Sequence, residues 1–275
     1  MYKKKKPNLK NTNNIKFYKI DLAITNLEKI FKIKFNIILH LANYDTYFIK
    51  KSVNDIIFKN ISIHKNVISY AYKSKTKIIF FSSSEVSQKK LKGKSLENEN
   101  FVIPSDNNSK IPYMISKFVG EYMLHNLFQN YKKNFLILRL SNVYGPGMSV
   151  GQVVSDLMIK IHKQNQIVLN NSKSKRNFIF IDDLILIIDK IIKKFPKENI
   201  INISSDEIVN IRTLLNYLLK IFNKKIKIYE KNQKKIFSKI LDTSLMKKNN
   251  LICNTDLING LKLTKNSVIK KYAKY

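Results

Sequence analysis

The chain has 275 residues, of which 44% are hydrophobic, so it can bury the core of one large domain or of two lobes. Its apolar runs, such as residues 36–42 and 135–138, are too short to span a bilayer, and residues 1–7 are basic but lack the apolar stretch of a signal peptide. The single cysteine, Cys253, excludes an intramolecular disulfide and suits a reducing compartment. We therefore expect a soluble, cytoplasmic protein with no membrane partner.

The formal charge of +32 raises the possibility of a nucleic-acid partner. Only Arg139, Arg176 and Arg212 are arginines, however, and the lysines are spread along the whole chain. Proteins that read nucleic-acid sequence usually depend on arginine forks and on a localised basic patch. We interpret the charge as a compositional bias toward Lys, Asn and Ile and predict no specific nucleic-acid partner. Non-specific binding to anionic polymers stays open as an alternative function.

The first half of the chain alternates short apolar runs with helical patterns. Such alternation predicts a doubly wound α/β sheet, in which ligands bind beyond the carboxyl ends of the strands. The near-continuous apolar character of residues 35–42 indicates a strand buried on both faces. The remaining predicted elements of this half are strands at residues 15–22, 77–81 and 135–140, helices at 53–72 and around 112–121, and a polar loop at 88–110.

The second half is more mixed and predicts a smaller α/β lobe that is interleaved with late elements of the sheet. The pattern indicates helices at residues 153–164, 182–194 and 210–223, followed by short helices from residue 243 onward. Short strands are expected at residues 167–169, 177–181, 200–204 and 226–229.

A tyrosine and a lysine on the predicted helix at 112–121 form a possible proton-transfer pair. Tyr113 and Lys117 are four residues apart, so they lie one turn apart on the same helix face. A buried ammonium close to a phenol favours the phenolate and lowers the phenol pKa from about 10 toward neutrality. The spacing alone also fits an ordinary helix face, so the interpretation depends on the motifs around it.

Those motifs occur in a characteristic order over most of the chain. The chain resembles the extended short-chain dehydrogenase/reductase family, in its NAD-dependent nucleotide-sugar epimerase/dehydratase branch. The matching segments are Asp21-Leu22, residues 38–42, Asn60, and residues 81–86, 112–117, 138–147 and 176–184.

The resemblance implies an oxidoreductase that acts on the sugar of a nucleotide sugar through a transient 4-keto intermediate. It assigns Tyr113 as the acid and base at a sugar hydroxyl, Lys117 as the residue that holds the nicotinamide ribose, and Ser83 as the hydrogen-bond partner of the reacting oxygen. Hydride transfer to NAD would accompany the proton transfer. NAD is expected in preference to NADP.

The resemblance also implies contacts to the rest of the cofactor. Asp21 is expected to contact the adenine end, while Leu22, Leu41 and Ala42 are expected to line the dinucleotide. Asp21 could instead be a turn residue at a strand end.

The expected substrate contacts follow the later strands. Asn142 and Arg176 match positions that hold the sugar nucleotide, and an Arg fork suits a diphosphate. Asn142 could also be a turn former, and Arg176 a surface ion-pair residue.

Ser84 and Glu85 flank Ser83 as further substrate contacts. Some dehydratases carry a carboxylate at the position of Ser84, and its absence disfavours dehydration. A Ser-Glu pair before a valine also occurs in nucleotide-sugar decarboxylases. A decarboxylase or a reductase of the same family therefore remains an alternative to an epimerase or dehydratase.

The glycine-rich turn that holds the cofactor pyrophosphate in this family is not found in the sequence. None of the six glycines can form it, so the resemblance begins after the second strand of the usual fold. We therefore expect an N-terminally truncated, incomplete Rossmann domain in residues 1–150, with an exposed strand edge and weakened NAD affinity, and a substrate lobe in residues 151–275. An Arg often found three residues before the late Asp242 is replaced by Lys239.

A homodimer is expected. The alternative from another class is a non-catalytic remnant that binds a sugar nucleotide, or only dimerises through the helix of Tyr113 and the helix around residues 53–72.

No metal site is predicted. His40 is expected to pack within its buried strand, while His64, His125 and His162 are expected on helix surfaces without metal-ligand spacing. Gly120 is expected to permit close packing of its helix.

Overall fold

A computed structural model describes residues 14–44, 53–87, 93–99, 111–231 and 238–272. Its α-helices are α1 (Leu27–Ile30), α2 (Val53–Lys73), α3 (Ile111–Leu127), α4 (Val153–Lys163), α5 (Ile181–Lys193), α6 (Ile211–Phe222), α7 (Ser244–Lys248) and α8 (Leu257–Tyr272). Its strands are β1 (Ile37–His40), β2 (Lys77–Ser83), β3 (Phe135–Leu140), β4 (Asn142–Tyr144), β5 (Gln166–Asn170), β6 (Lys175–Phe180), β7 (Ile200–Ile203), β8 (Ile208–Asn210) and β9 (Lys227–Lys231).

The main sheet is parallel, in the order β1-β2-β3-β7. Alternate side chains of β2 and β3 point to opposite faces, because the side-chain period of a strand is two residues. One set, including Phe80 and Ile137, packs with α2 and α3, whereas the other, including Ile79 and Leu138, packs with α5 and α7. Both faces of the sheet are thus covered, which confirms the predicted doubly wound α/β class.

Strand β1 forms one edge of this sheet in the described part of the chain, where it pairs with β2 alone. Leu39 keeps 40% of its surface exposed and Leu41 keeps 59%. The strand predicted at residues 35–42 is present as β1, but the expectation that it is buried on both faces is wrong, because no described element covers Leu39 and Leu41.

The strand predicted at residues 15–22 is also wrong. This segment has no regular structure up to Asp21 and then turns, and its apolar side chains Ile15, Phe17 and Tyr18 are largely exposed. A strand needs a neighbour for its backbone hydrogen bonds, and no described strand lies beside this segment.

A second lobe is built on the smaller sheets β4-β6-β8 and β5-β9. Its core is formed by α4, α6 and α8, with side chains such as Met158, Leu214 and Leu261 fully buried. The sequence did not indicate the short strands β4 and β8. Helix α5 and strand β7, although late in the chain, return to the main sheet. Of the helices in the described ranges, none is long and apolar enough to cross a membrane.

Candidate functional site

A cavity of about 450 Å³ lies where the carboxyl ends of β2 and β3 meet the second lobe. The parallel register pairs Ser83 with Leu140, so the residues that follow both strands emerge at the same level. Five residues singled out from the sequence line this one cavity, namely Ser83, Glu85, Tyr113, Asn142 and Arg176. The structure therefore brings together side chains from four regions of the chain that are far apart in sequence.

The serines after β2 differ in their access to the cavity. Ser83 is half-buried, and its hydroxyl accepts a hydrogen bond from the Glu85 backbone N–H at 3.2 Å, which caps the 3₁₀ helix Ser84–Val86. Ser84 is 4% exposed and is not part of the cavity lining. Ser83 is thus placed to meet a ligand, whereas Ser84 is not.

Glu85 forms an ion pair with Lys239, a residue 154 positions later in the chain. Both side chains are largely removed from water, with 12% of Glu85 and 5% of Lys239 exposed. The segment that carries Lys239 runs beside β6 through an isolated bridge to Arg176. Two cations and one carboxylate therefore meet at this wall of the cavity.

Arg176 has a buried polar atom that is left without a partner. Its Nε makes no hydrogen bond to any described residue. Burial lowers the pKa of the guanidinium, and the nearby Glu85 carboxylate opposes this effect. An unpaired buried N–H costs free energy, and an anionic ligand in the cavity would satisfy it.

Asn142 is held beside this arginine by the pairing of β4 with β6. Its Nδ2 donates a hydrogen bond to the Asn177 carbonyl at 3.3 Å, and the residue lines the cavity. The position is therefore a fixed part of the cavity wall and not only a turn.

Helix α3 presents Tyr113 to the cavity and Lys117 beneath it. Lys117 is 3% exposed, does not line the cavity, and donates from Nζ to the Phe81 carbonyl at 2.9 Å. Its Nζ lies 5.7 Å from the Tyr113 ring centroid and 5.1 Å from that of Phe80. Burial lowers the pKa of the ammonium to about 8, while the Glu121 carboxylate opposes this. This dry environment is the one in which a cation can favour a phenolate.

The residues expected to contact the dinucleotide lie elsewhere. Leu22, Leu41 and Ala42 line a separate cavity of about 300 Å³ beside β1, whose walls carry no lysine, arginine or glycine. Asp21 lines neither cavity: its carboxylate accepts from the Ala23 N–H at 3.0 Å and pairs with Lys59 at 3.1 Å, and these two contacts lower its pKa. This geometry is that of a turn residue at the surface.

The site therefore fits NAD at one end only. Tyr113 lines the cavity where the nicotinamide ribose is expected, whereas Lys117 is buried behind it, and the described residues around Leu41 and Ala42 provide no cradle for a pyrophosphate. The assignment of Asp21, Leu22, Leu41 and Ala42 as cofactor contacts therefore stays a prediction.

Two histidines form a buried pair between β1 and α2. His40 and His64 are 2% and 0% exposed, and His40 Nε2 lies 2.9 Å from His64 Nδ1. Burial lowers the pKa of His40 to about 3 and that of His64 to about 2. The expectation that His64 lies on a helix surface is wrong; it shares the inward face of α2 with Asn60, one turn earlier. His125 and His162 are exposed as expected, and within the described ranges no cluster of His, Cys, Asp and Glu is arranged to hold a metal.

Sequence reasoning missed two groups that shape the site. Lys239 pairs with Glu85 across a separation that no local pattern reveals. Glu121 and Arg139 form a buried ion pair behind Lys117 with an N–O distance of 2.7 Å. The spacing of Glu121, one further turn along the face of Tyr113 and Lys117, was the available signal.

The chain was compared with known families and proteins. The sequence model of the NAD dependent epimerase/dehydratase family matches residues 2–204. The chain is 31% identical over 215 residues to dTDP-D-glucose 4,6-dehydratase of Dictyostelium discoideum, covering 72% of this chain and 48% of that protein. It is 25% identical over 220 residues to the human protein of the same name, covering 78% and 61%. The chain thus spans about half to three fifths of the length of these curated relatives.

Solved structures show the same fold. UDP-glucuronic acid 4-epimerase from Bacillus cereus, solved in complex with NAD, matches with a TM-score of 0.78 and 22% identity over 92% of this chain and 80% of that one. UDP-glucose 4-epimerase from Thermotoga maritima matches with a TM-score of 0.78 and 22% identity, covering 93% and 84%. With the family match extending over most of its length, this chain belongs to the NAD-dependent epimerase/dehydratase family of Rossmann-fold proteins.

Proposed function

We propose that the protein binds a nucleotide sugar in the cavity lined by Ser83, Tyr113, Asn142 and Arg176 and carries out NAD-dependent chemistry on its sugar. The observation that carries this proposal is the meeting of a Ser, a Tyr and a half-buried Arg with an unpaired Nε in one cavity of about 450 Å³. Arg176 supports a diphosphate contact, because a planar guanidinium binds such oxygens with directed hydrogen bonds. The hydroxyl groups of Tyr113 and Ser83, which line the same cavity, support a contact with the sugar.

In this proposal Tyr113, Ser83 and Lys117 have separate roles in the reaction. Tyr113 takes and returns a proton at a sugar hydroxyl, and Ser83 donates a hydrogen bond to the same oxygen. Lys117 supplies the positive charge that favours the Tyr113 phenolate. NAD, when bound, supplies a hydride acceptor. Reactions that pass through a transient 4-keto sugar, such as epimerisation, are open to this set.

The reaction type depends on the position of carboxylates. Ser84 is buried away from the cavity and carries no carboxyl group, whereas Glu85 lines the cavity and is ion-paired to Lys239. This arrangement supports an epimerase, reductase or decarboxylase over a dehydratase that needs an acid at position 84.

Substrate binding is tested by calorimetry with UDP- and dTDP-sugars. Arg176→Ala should weaken binding about tenfold to a hundredfold, the value of a charge-assisted hydrogen bond of about 1.5–3 kcal/mol. Arg212→Ala is the matched control, since it removes the same charge from an exposed residue paired with Glu230 outside the cavity. Equal affinities of the two variants would contradict the assignment.

Catalysis is tested by turnover of the same sugars in the presence of NAD. Tyr113→Phe should abolish turnover while leaving sugar-nucleotide affinity nearly unchanged. Tyr122→Phe, on the same helix with 63% of its side chain exposed, should turn over like the unmodified protein. Unchanged turnover in Tyr113→Phe would refute the role of that hydroxyl.

A second candidate is a protein that binds the sugar nucleotide without turning it over. It is supported by the absence of a pyrophosphate cradle among the described residues near Leu41 and Ala42. Calorimetry that detects sugar-nucleotide binding, but no binding of NAD or NADP, would favour this candidate.

A cytoplasmic homodimer belongs to the same proposal. Helices α2 and α3 pack side by side and leave Phe58 68% and Tyr122 63% exposed on their outer surface. Light scattering should give the mass of a dimer, and Phe58→Glu should reduce it to that of a monomer.

A further inference from the structure

Helix α3 carries a third buried polar residue, Glu121, one turn beyond Lys117. Glu121 is 3% exposed, and its carboxylate accepts a hydrogen bond from the Ser82 hydroxyl at 2.5 Å. Arg139 donates to the same carboxylate from Nε at 3.1 and 3.3 Å and from Nη2 at 2.7 Å. Because Ser82 lies in β2 and Arg139 in β3, one carboxylate ties α3 to the two central strands.

The network continues to the last strand of the sheet. Arg139 donates from Nη1 to the Glu97 carbonyl at 3.1 Å, and the Glu97 carboxylate accepts from the backbone N–H of Asn202 in β7 at 2.9 Å. Buried ion pairs contribute little net stability compared with well-packed apolar side chains, since desolvation offsets their attraction. A role in the neighbouring site is therefore a better explanation for this arrangement than stability alone.

Lys117 is enclosed by groups from several elements. Tyr113 and Glu121 face it from α3, the Phe81 carbonyl and Phe80 ring from β2, and the neutral pair His40 and His64 from β1 and α2. Among these described neighbours, Glu121 carries the negative charge. Arg139 and Ser82 hold that charge in place from behind.

We propose that Glu121 is a positioning residue for the Tyr113–Lys117 pair, which fixes α3 on the sheet and keeps the Lys117 ammonium charged inside an apolar enclosure. Burial already brings the pKa of Lys117 down to about 8, and Glu121 opposes a further fall. Without Glu121, Lys117 would lose its proton near neutral pH, and the cation that favours the Tyr113 phenolate would be gone. The consequence for catalysis rests on the proposed function, whereas the charge state of Lys117 does not.

The test is an NMR titration of the full chain with ¹³Cε-labelled lysine, in which Lys117→Met identifies the Lys117 signal. Glu121→Gln keeps the shape of the side chain and removes its charge, and we expect the Lys117 midpoint to fall by about one pH unit or more. Glu121→Asp retains the charge and should titrate near the unmodified protein. If Glu121→Asp behaves like Glu121→Gln, or if Glu121→Gln leaves the midpoint unchanged, the proposal is overturned.

A double variant covers the case in which Glu121→Gln does not fold. Glu121→Met with Arg139→Met removes both charges and refills the volume with apolar atoms, a change that buried ion pairs often tolerate. A folded double variant with a lowered Lys117 midpoint supports the proposal, and one with an unchanged midpoint overturns it. No nucleotide sugar or NAD is needed, so a failure of the proposed function would show in calorimetry and turnover and not in this titration.

Discussion

Gly120→Ala probes how tightly α3 is packed on the sheet. Gly120 lies between Lys117 and Glu121, and a Cβ built there would lie 2.5 Å from Cζ of Phe80 and 3.1 and 3.2 Å from the neighbouring ring carbons. Ordinary carbon contacts are about 3.5–4.0 Å, so the ring would have to move by about 1 Å. Phe80 is fully buried, and its ring also packs against His40 and His64 at centroid distances of 5.4 and 5.1 Å.

The expected cost follows from two opposing effects. Forcing an extra methyl into a packed core costs about 1–3 kcal/mol, whereas replacing Gly by Ala inside a helix gains about 1 kcal/mol. The net change is a loss of about 1 kcal/mol in the free energy of unfolding, or about 2–4 °C in Tm for a chain of this size. Urea unfolding followed by circular dichroism measures it.

Phe80→Leu supplies the matched control, because the smaller side chain lacks the colliding ring atoms. In the Phe80→Leu background, Gly120→Ala should be neutral or stabilising. A Gly120→Ala variant as stable as the original, or a cost that persists after Phe80→Leu, would show that the contact does not limit the packing of α3.

Three further predictions concern buried titratable groups. Because the pKa of Lys117 falls from 10.5 to about 8 on folding, the unfolded chain binds more protons between these values and stability rises with pH across that window. Lys117→Met should therefore raise the free energy of unfolding at pH 7 by up to about 3 kcal/mol, and the gain should vanish by pH 10.5; a pH-independent gain would argue against burial as its cause. Because the pKa of His64 falls from 6.5 to about 2, folding stability should decrease as pH drops below 6.5, and His64→Gln should reduce that slope in urea titrations; an unchanged slope would assign it to other groups. Burial raises the pKa of the Cys253 thiol to about 12, so this thiol should react with iodoacetamide at pH 8 only after unfolding, and rapid reaction of the native protein would contradict its placement.

The elements that the sequence predicted well are those with a strong local signal. Strands β2 and β3 are nearly continuous apolar runs, and helices α2, α4 and α6 have clear helical periods, so their positions were close to the observed bounds. Ser83 and Asn142 could be grouped because parallel strands bring their carboxyl ends to one edge of a sheet. Tyr113 on a helix and Arg176 near the start of β6 were assigned by the family resemblance, and both line the same cavity as Ser83 and Asn142.

Features that depend on neighbours distant in the chain could not be predicted. The exposure of Leu39 and Leu41 depends on whether another strand lies beside β1, which the apolar pattern of residues 35–42 does not encode. The ion pair of Glu85 with Lys239 joins residues 154 positions apart.

Helical periodicity also did not reveal a buried polar pair. His64 was predicted on a helix surface, but it is fully buried and lies against His40.

The outer edge of β1 bears on how the protein behaves at high concentration. Among the described residues no strand pairs with this edge, and Leu39 and Leu41 are partly exposed beside it. Such an edge is a template on which other chains can assemble into aggregates. The charge of +32 opposes such assembly by mutual repulsion between molecules. That repulsion reaches only about 3 Å in 1 M salt, compared with about 10 Å at 0.1 M, so raising the ionic strength should bring molecules together at this edge.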